Sequence, residues 1–128
     1  MRALLDTHAF LWWSGDDPQL SVPARQAVAA SENEVYVSAA SAWEIAIKMA
    51  LGRLRAPADL EGFFAEEMRR SAFRPLCMHV GHGLAVRALP DHHRDPFDRI
   101  LVAQAQIERV PIVTADPMIS RYGVETIW

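Results

Sequence analysis

Apolar residues along the chain form short runs that alternate with amphipathic segments. Residues 3–5 make a brief apolar run typical of a buried strand, and Glu34–Ser38 has strand composition. Further strands are predicted at residues 76–78, 111–114 and 124–127, the first of these being the weakest. Short apolar strands separated by amphipathic helices predict an α/β domain with a mainly parallel sheet and right-handed crossovers.

Capping residues mark where the predicted helices begin. Asp6 follows the first strand and suits the cap of a short helix, and Ser21 suits the cap of a helix with Pro23 in its first turn. Ser41 and Glu44 have the spacing of a capping box, which predicts a helix from Ser41 through residue 51 before Gly52. Apolar periodicity predicts further helices over residues 57–70 and 80–89, and one helical turn after Asp116.

The stretch His-His-Arg-Asp-Pro-Phe-Asp-Arg at residues 92–99 predicts a loop that turns into a helix. Asp95 suits the N-cap, Pro96 the first helical position and Asp98 the third. The apolar stripe of the helix follows: Phe97, Ile100, Leu101, Ala103 and Ala105. Local physics alone accounts for both aspartates, because anions are favoured at the positive end of a helix.

Composition narrows the class of protein. With 128 residues, of which 51% are hydrophobic, residues 1–128 are expected to form a single domain with a core that needs no disulfide. The single cysteine, and the lack of a signal-peptide or membrane-spanning apolar run, favour a cytoplasmic protein without membrane contact. The net charge of −3 counts modestly against a simple nucleic-acid-binding module, but not against an enzyme that holds phosphate through cations.

Four acids share a predicted position relative to the sheet. Asp6 and Asp116 come just after strands, whereas Glu44 and Asp98 lie in the first turns of helices. Ligands bind at that edge of open α/β sheets, and carboxylate oxygens suit Mg²⁺ or Mn²⁺. Each acid also has a local explanation: Asp6 and Asp116 as helix caps, Glu44 in a capping box or paired with Lys48. Spacing alone leaves both interpretations open.

Four segments in order carry a family resemblance. They are Leu4-Leu5-Asp6-Thr7-His8-Ala9-Phe10-Leu11-Trp12-Trp13, then Ser41-Ala42-Trp43-Glu44-Ile45-Ala46-Ile47-Lys48, then His93-Arg94-Asp95-Pro96-Phe97-Asp98-Arg99-Ile100-Leu101-Val102-Ala103-Gln104-Ala105, and Val113-Thr114-Ala115-Asp116-Pro117. This pattern resembles the PIN-domain ribonucleases, in particular the VapC-type toxins of toxin–antitoxin pairs. The resemblance spans nearly the whole chain, and all four acidic positions are kept.

The resemblance implies a three-layer PIN-like fold, with a five-stranded sheet of order 3-2-1-4-5 flanked by helices. It implies a Mg²⁺-dependent endoribonuclease, with Mn²⁺ as a possible substitute, in which a metal-activated water hydrolyses RNA. The implied catalytic set is Asp6, Glu44, Asp98 and Asp116. The aspartates of that set are the implied metal ligands, and Glu44 the residue that positions the attacking water or a second ion. Thr7, Asp95 and Thr114 are secondary candidates.

The resemblance also implies partners, namely an RNA substrate, a cognate antitoxin and a second copy in a homodimer. Arg94 and Arg99 are candidates for RNA phosphate contacts, or else a solvated pair at a helix start. The alternatives are a PIN nuclease with an RNA-processing role and a non-catalytic module that binds RNA or protein. A phosphate-accepting receiver domain is disfavoured, because the only lysine, Lys48, falls inside a helix.

Two other groups of residues allow a functional interpretation but favour a structural one. The histidines at 79, 82, 92 and 93 offer no convincing zinc set, since neighbouring side chains point apart and zinc needs three or four convergent ligands. His8, beside Asp6, is expected to be structural. The pairs Trp12-Trp13 and Phe63-Phe64 could stack on bases, but their amphipathic segments favour a place in the core or an interface.

Overall fold

Five parallel strands form the central sheet of the computed structural model, which describes residues 1–128. The strands are β1 (Arg2–Leu5), β2 (Glu34–Ser38), β3 (Arg74–Leu76), β4 (Ile112–Val113) and β5 (Thr126–Ile127). Their order in the sheet is β3-β2-β1-β4-β5, and every neighbouring pair is parallel. The expected sheet is therefore confirmed, and it is parallel throughout.

Seven α-helices connect and flank the strands. They are α1 (Thr7–Ser14), α2 (Val22–Ala29), α3 (Ala39–Ala50), α4 (Leu60–Arg70), α5 (Val80–Ala85), α6 (Pro96–Glu108) and α7 (Pro117–Ser120), with a 3₁₀ turn at Val86–Ala88 after α5. Asp6 and Ser21 cap α1 and α2 through their side-chain oxygens, and Asp95 caps α6 with Pro96 behind it, as predicted. None of these helices is long and apolar enough to cross a bilayer.

The sheet has a hydrophobic core on each face because side chains alternate along a strand. In β1, Ala3 and Leu5 pack on one side with Phe10 of α1, while Leu4 packs on the other side with Leu101 of α6. Helices on both faces bury the central strands, where Leu4, Leu5, Ile112 and Val113 are fully buried, which explains their short apolar runs. The edge strand β3 is less covered, and its Arg74 and Pro75 are exposed. The result is the three-layer arrangement that the family resemblance implied.

The connections place the carboxyl ends of β1 and β4 side by side at the middle of the sheet. The chain winds outward from β1 through β2 to β3, then returns across the sheet to β4 on the other side of β1. Such a reversal of strand order opens a crevice at the carboxyl edge, where open α/β proteins bind ligands. Asp6 and the segment after β4 lie at this point.

The predicted start of α3 was wrong. The helix begins at Ala39, and Ser38, the last residue of β2, caps it by accepting a hydrogen bond from the Ala40 N–H at 3.0 Å. Ser41 therefore lies inside the helix, and Glu44 does not close a capping box. A strand that passes directly into a helix leaves no turn residues to mark the boundary, so the later serine gave the stronger sequence signal.

Other boundaries also differ from the prediction: α5 ends at Ala85 instead of residue 89, and β4 and β5 are two residues long instead of four. Helix α4 begins at Leu60 instead of residue 57, because Asp59 caps it by accepting a hydrogen bond from the Gly62 N–H. The third strand is Arg74–Leu76 instead of residues 76–78, and it contains Pro75. Because β3 is an edge strand, only one of its sides is hydrogen-bonded, and an edge is where a sheet tolerates proline.

Candidate active site

Asp6 sits where β1 passes into α1. Its carboxylate accepts a 2.7 Å hydrogen bond from the Ala9 N–H, and only 5% of the residue is exposed. Burial raises the pKa of Asp6 above its ordinary value, and the negative charge of Asp116 raises it further. Hydrogen bonds from Thr114 and the Ala9 amide, together with the charge of His8, oppose that rise in the pKa. Asp6 is thus both a helix cap and a buried acid whose charged form is disfavoured.

Asp116 lies just beyond β4 and faces the same crevice. One carboxylate oxygen caps α7 by accepting from the Met118 N–H at 2.9 Å, and the other contacts His93 Nε2 at 2.7 Å. The buried Thr114 hydroxyl accepts a hydrogen bond from the Asp116 N–H at 3.0 Å, and the same side chain lowers the pKa of Asp6. Thr114 is therefore close to both the acid after β1 and the acid after β4.

Asp98 enters the crevice from the first turn of α6. Asp95 is the N-cap and accepts the Phe97 N–H at 2.8 Å, which leaves Asp98, one turn further on, to point at the other acids. Burial and the neighbouring charge of Asp95 raise the pKa of Asp98 to about 7, with smaller contributions in the same direction from Asp6 and Glu44. The charges of Asp6, Glu44 and Asp95 therefore all act on the ionisation of Asp98.

His93 occupies the centre of this group, which the sequence did not predict. Its Nε2 lies 2.7 Å from Asp116 Oδ2 and 3.0 Å from Asp98 Oδ2. Its Nδ1 accepts the Asp95 N–H at 3.0 Å, so the proton of the neutral ring is on Nε2, shared by the two carboxylates. The only sequence signal was its place two residues before the N-cap of α6.

Glu44 approaches from α3 and is 2% exposed. Its two carboxylate oxygens accept hydrogen bonds from the Thr7 hydroxyl and from Lys48 Nζ, each at 2.5 Å. Thr7 Oγ1 also lies 3.0 Å from Ser41 Oγ. The hydrogen bond to Glu44 raises the pKa of Lys48, and the charges of Asp95 and Asp98 add to the effect. Lys48 is thus a cation beside the acids. The sequence suggested only its pairing with Glu44 along the helix.

A family model described as PIN domain matches residues 3–125 of the chain. The chain belongs to the PIN domain family. Its fold resembles that of a chain in the crystal structure of VapBC2 from Rickettsia felis bound to a promoter DNA fragment, with a TM-score of 0.73 and 12% identity over 98% of this chain and 97% of that one. FitAcB from Neisseria gonorrhoeae has a TM-score of 0.56 and 16% identity over 97% and 95% of the two chains.

Sequence similarity to a curated protein is confined to part of this PIN domain. Ribonuclease VapC16 from Mycobacterium tuberculosis is 41% identical over 56 residues, which are 44% of this chain and 40% of the relative. The matched part thus spans about two fifths of that protein's length. Both structural likenesses lie at low sequence identity and concern the fold.

The residues of this PIN site suit a divalent cation. Ligand atoms of His93, Asp98 and Asp116 all lie within 4.8 Å of one another. Two carboxylates about 4 Å apart repel by about 4 kcal/mol at an effective dielectric of 20. The raised pKa values of Asp6 and Asp98 reflect burial first and this unfavourable charge second. Hard oxygen ligands and excess negative charge are what Mg²⁺ or Mn²⁺ would neutralise.

The two arginines beside the acids differ. The guanidinium of Arg99 donates to the carbonyls of Pro90, Val86 and Leu89 at 2.8–3.4 Å, and to the Tyr122 hydroxyl. These bonds tie the loop before α6 to the helix and use most of its donors. Arg94 is exposed and makes no side-chain hydrogen bond or ion pair, so its charge is available to a ligand.

Other predicted residues have structural surroundings. Trp12, Trp13, Phe63 and Phe64 pack against the core on the α1 side of the sheet, as the amphipathic pattern indicated. The His82 ring is buried, accepts the His79 N–H and contacts Glu108 at 3.1 Å, while the His92 ring packs against Tyr122. The His8 ring packs against Trp12 and lies close enough to Asp6 to lower its pKa.

Proposed function

We propose that residues 1–128 act as a single PIN domain with Mg²⁺-dependent endoribonuclease activity, as the toxin of a toxin–antitoxin pair. The observation that carries this proposal is the convergence of Asp6, Glu44, Asp98 and Asp116 at one edge of the sheet, where burial and mutual repulsion raise the pKa values of Asp6 and Asp98. Clustered acids around a crevice are the ligands that phosphodiester hydrolases use to hold Mg²⁺ or Mn²⁺.

In this proposal Asp6, Asp98 and Asp116 hold the ion directly or through water. A bound divalent ion would polarise a phosphoryl oxygen and lower the pKa of the attacking water. Glu44, held by Thr7 and Lys48, orients that water from the α3 side. Thr114 fixes the spacing of Asp6 and Asp116, and Asp95 holds His93 against the acids.

In this proposal Arg94, which is exposed and precedes Asp95 in the chain, contacts the RNA backbone. Arg99 was a second candidate for that contact, but its donors mostly serve the loop before α6. In the proposed function Arg99 therefore shapes the crevice, and Arg94 is the residue that reaches the phosphate.

The toxin role extends this proposal to partners. It is supported by the resemblance of the four motifs to VapC-type toxins and by the similarity to Ribonuclease VapC16. The proposed partners are an antitoxin chain, which would suppress the activity, and a second copy of this chain. An antitoxin encoded next to this chain should relieve the growth arrest that its expression causes.

Sequencing of RNA ends after induction tests the proposal. The wild type is expected to generate new cleavage ends, while Asp6→Asn and Asp98→Asn are expected to lower cleavage at least about 100-fold, because each removes a charge from the ion-binding set. Asp16→Asn is the matched control, since its side chain is 90% exposed and contacts only Arg25. Purified protein should cleave RNA with Mg²⁺ and lose that activity with EDTA.

Wild-type rates in Asp6→Asn, or cleavage that persists in EDTA, would contradict the proposed mechanism. Tight RNA binding without cleavage at any Mg²⁺ or Mn²⁺ concentration would instead favour a non-catalytic binding module.

A further inference from the structure

A contact between an exposed tryptophan and a half-buried phenylalanine joins the two helices that bring Glu44 and Asp98 to the site. Trp43 precedes Glu44 on α3, and Phe97 precedes Asp98 on α6. Their ring centroids are 5.1 Å apart with the planes at 75°, an edge-to-face contact that holds the indole in place. Each ring is thus carried by the residue next to one of the acids, Glu44 or Asp98.

Trp43 is far more exposed than a tryptophan normally is in a folded domain. It is 57% exposed, whereas Trp12 and Trp13 pack against the core. Burying an indole yields a large hydrophobic gain, so leaving one open to water loses that gain unless a ligand covers it. A rigid, exposed indole beside a candidate active site is a surface on which a flat ring can stack.

The surroundings of Trp43 favour a small ring over a protein surface. The exposed stripe of α3 runs through Ala39, Trp43, Ala46 and Ala50, and Trp43 is its only large side chain. Alanines offer little apolar area to a protein partner, but they leave the indole sterically open. A single nucleobase needs only one open aromatic ring.

We propose that Trp43, held by Phe97, is a stacking platform for an unpaired base of the RNA substrate next to the cleaved phosphate. This inference rests on the proposed function, and it restricts the substrate to RNA that is single-stranded at the cut. A base in a duplex has both faces covered by its neighbours, so it cannot stack on the indole without leaving the helix. Trp43 is thus a positioning residue, whereas the acids carry the chemistry.

Binding of labelled oligouridine in Ca²⁺ tests the platform, with cleavage kinetics in Mg²⁺ as the second readout. Trp43→Ala and Trp43→Leu are both expected to weaken binding about ten-fold and to raise KM, since each removes the ring that stacks. Trp43→Phe is expected to restore most of the affinity. An oligomer of the same length with abasic sites should bind the wild type and Trp43→Ala equally weakly.

Leu51→Ala is the matched control, because Leu51 is 60% exposed and lies eight residues further along, at the C-cap of the same helix. It should leave both readouts unchanged. Wild-type affinity in Trp43→Ala, or a Trp43→Leu protein that binds like Trp43→Phe, would overturn the platform. The platform would also be overturned if Trp43→Ala changed the oligomeric state of the protein and this change accounted for the loss of RNA affinity.

Failure of the proposed function has a different signature from failure of the platform. If the wild type cleaves no RNA, the nuclease proposal fails whatever Trp43 does. If the wild type cleaves and Trp43→Ala cleaves with the same KM, only the platform fails. Unfolding temperatures of the variants establish that each one is folded.

Discussion

At the scale of single residues, His93 lies between two of the acids and reduces the repulsion between their carboxylates. Its Nε2–H is shared between Asp98 and Asp116, and its Nδ1 is held by the Asp95 N–H. A hydrogen-bond donor between two carboxylates reduces their repulsion in part. The raised pKa of Asp98 indicates that the compensation is incomplete, because burial and Asp95 still outweigh the effect of His93.

Stability of the metal-free protein is expected to fall as pH rises from about 4 to about 7. An ordinary aspartate has a pKa of 3.8, and in the folded protein burial raises the pKa of Asp98 to about 7. Between these two pH values the folded state holds a proton that the unfolded state has lost. Stability that depends on protonated Asp98 is therefore present at the acidic end and lost at pH 7. Urea unfolding in EDTA at several pH values measures it.

Asp98→Asn is the comparison that isolates this contribution. Its free energy of unfolding should fall less than that of the wild type between pH 4 and pH 7, because asparagine carries no proton to lose. Equal pH dependence in the two proteins would show that Asp98 ionises in the fold as it does in the unfolded chain.

At the scale of elements, Ser38 connects three parts of the fold. It ends β2, caps α3 through the Ala40 N–H, and donates a 2.6 Å hydrogen bond to Gln104 Oε1 on α6. The Gln104 amide in turn donates to the Cys77 carbonyl beyond β3. Since α3 carries Glu44 and α6 carries Asp98, this buried network fixes the two helices relative to each other.

Ser38→Ala is expected to lower the free energy of unfolding by about 1–2 kcal/mol, because it removes a helix cap and a hydrogen-bond donor to a buried amide. Chemical denaturation measures the change, and the cleavage rate should fall as well if α3 and α6 shift. Ser31→Ala, at an exposed turn, is the control and should be neutral. A neutral Ser38→Ala would mean that neither bond contributes net stability.

At the scale of the whole molecule, the site is held by four distant parts of the chain. Asp6 and Asp116 follow different strands, Asp98 lies in the first turn of α6 and Glu44 in the second turn of α3, and only the folded sheet unites them. An ion bound by this set binds the folded chain and not the unfolded one, so ion binding and folding are linked.

Mg²⁺ or Mn²⁺ is therefore expected to raise the unfolding temperature. At about 100 times the Kd the linkage adds about 2.7 kcal/mol, a rise of roughly 10 °C for a domain of this size. Thermal unfolding with and without metal measures it, and Asp116→Asn should show a smaller rise. No rise in the wild type at saturating metal would contradict the site.

The sequence by itself indicated where the strands and helices lie and which acids cap the helices. Alternating apolar runs and helical stripes indicated all five strands and the flanking helices, because those patterns depend on local periodicity. The caps at Asp6, Asp95 and Asp116 were also readable, since a helix start needs an acceptor for its first amides. The strand order came from the family resemblance and is confirmed by the fold.

Only the tertiary structure determined which side chains of different elements are in contact. His93 between Asp98 and Asp116, Thr7 on Glu44 and the exposed Trp43 against Phe97 are contacts between residues from 5 to 54 positions apart. No local pattern encodes such a contact, because it depends on how packed helices and strands are placed. The stretch at residues 92–99 illustrates both levels: helix physics places its two aspartates, and the fold gives one of them acidic neighbours.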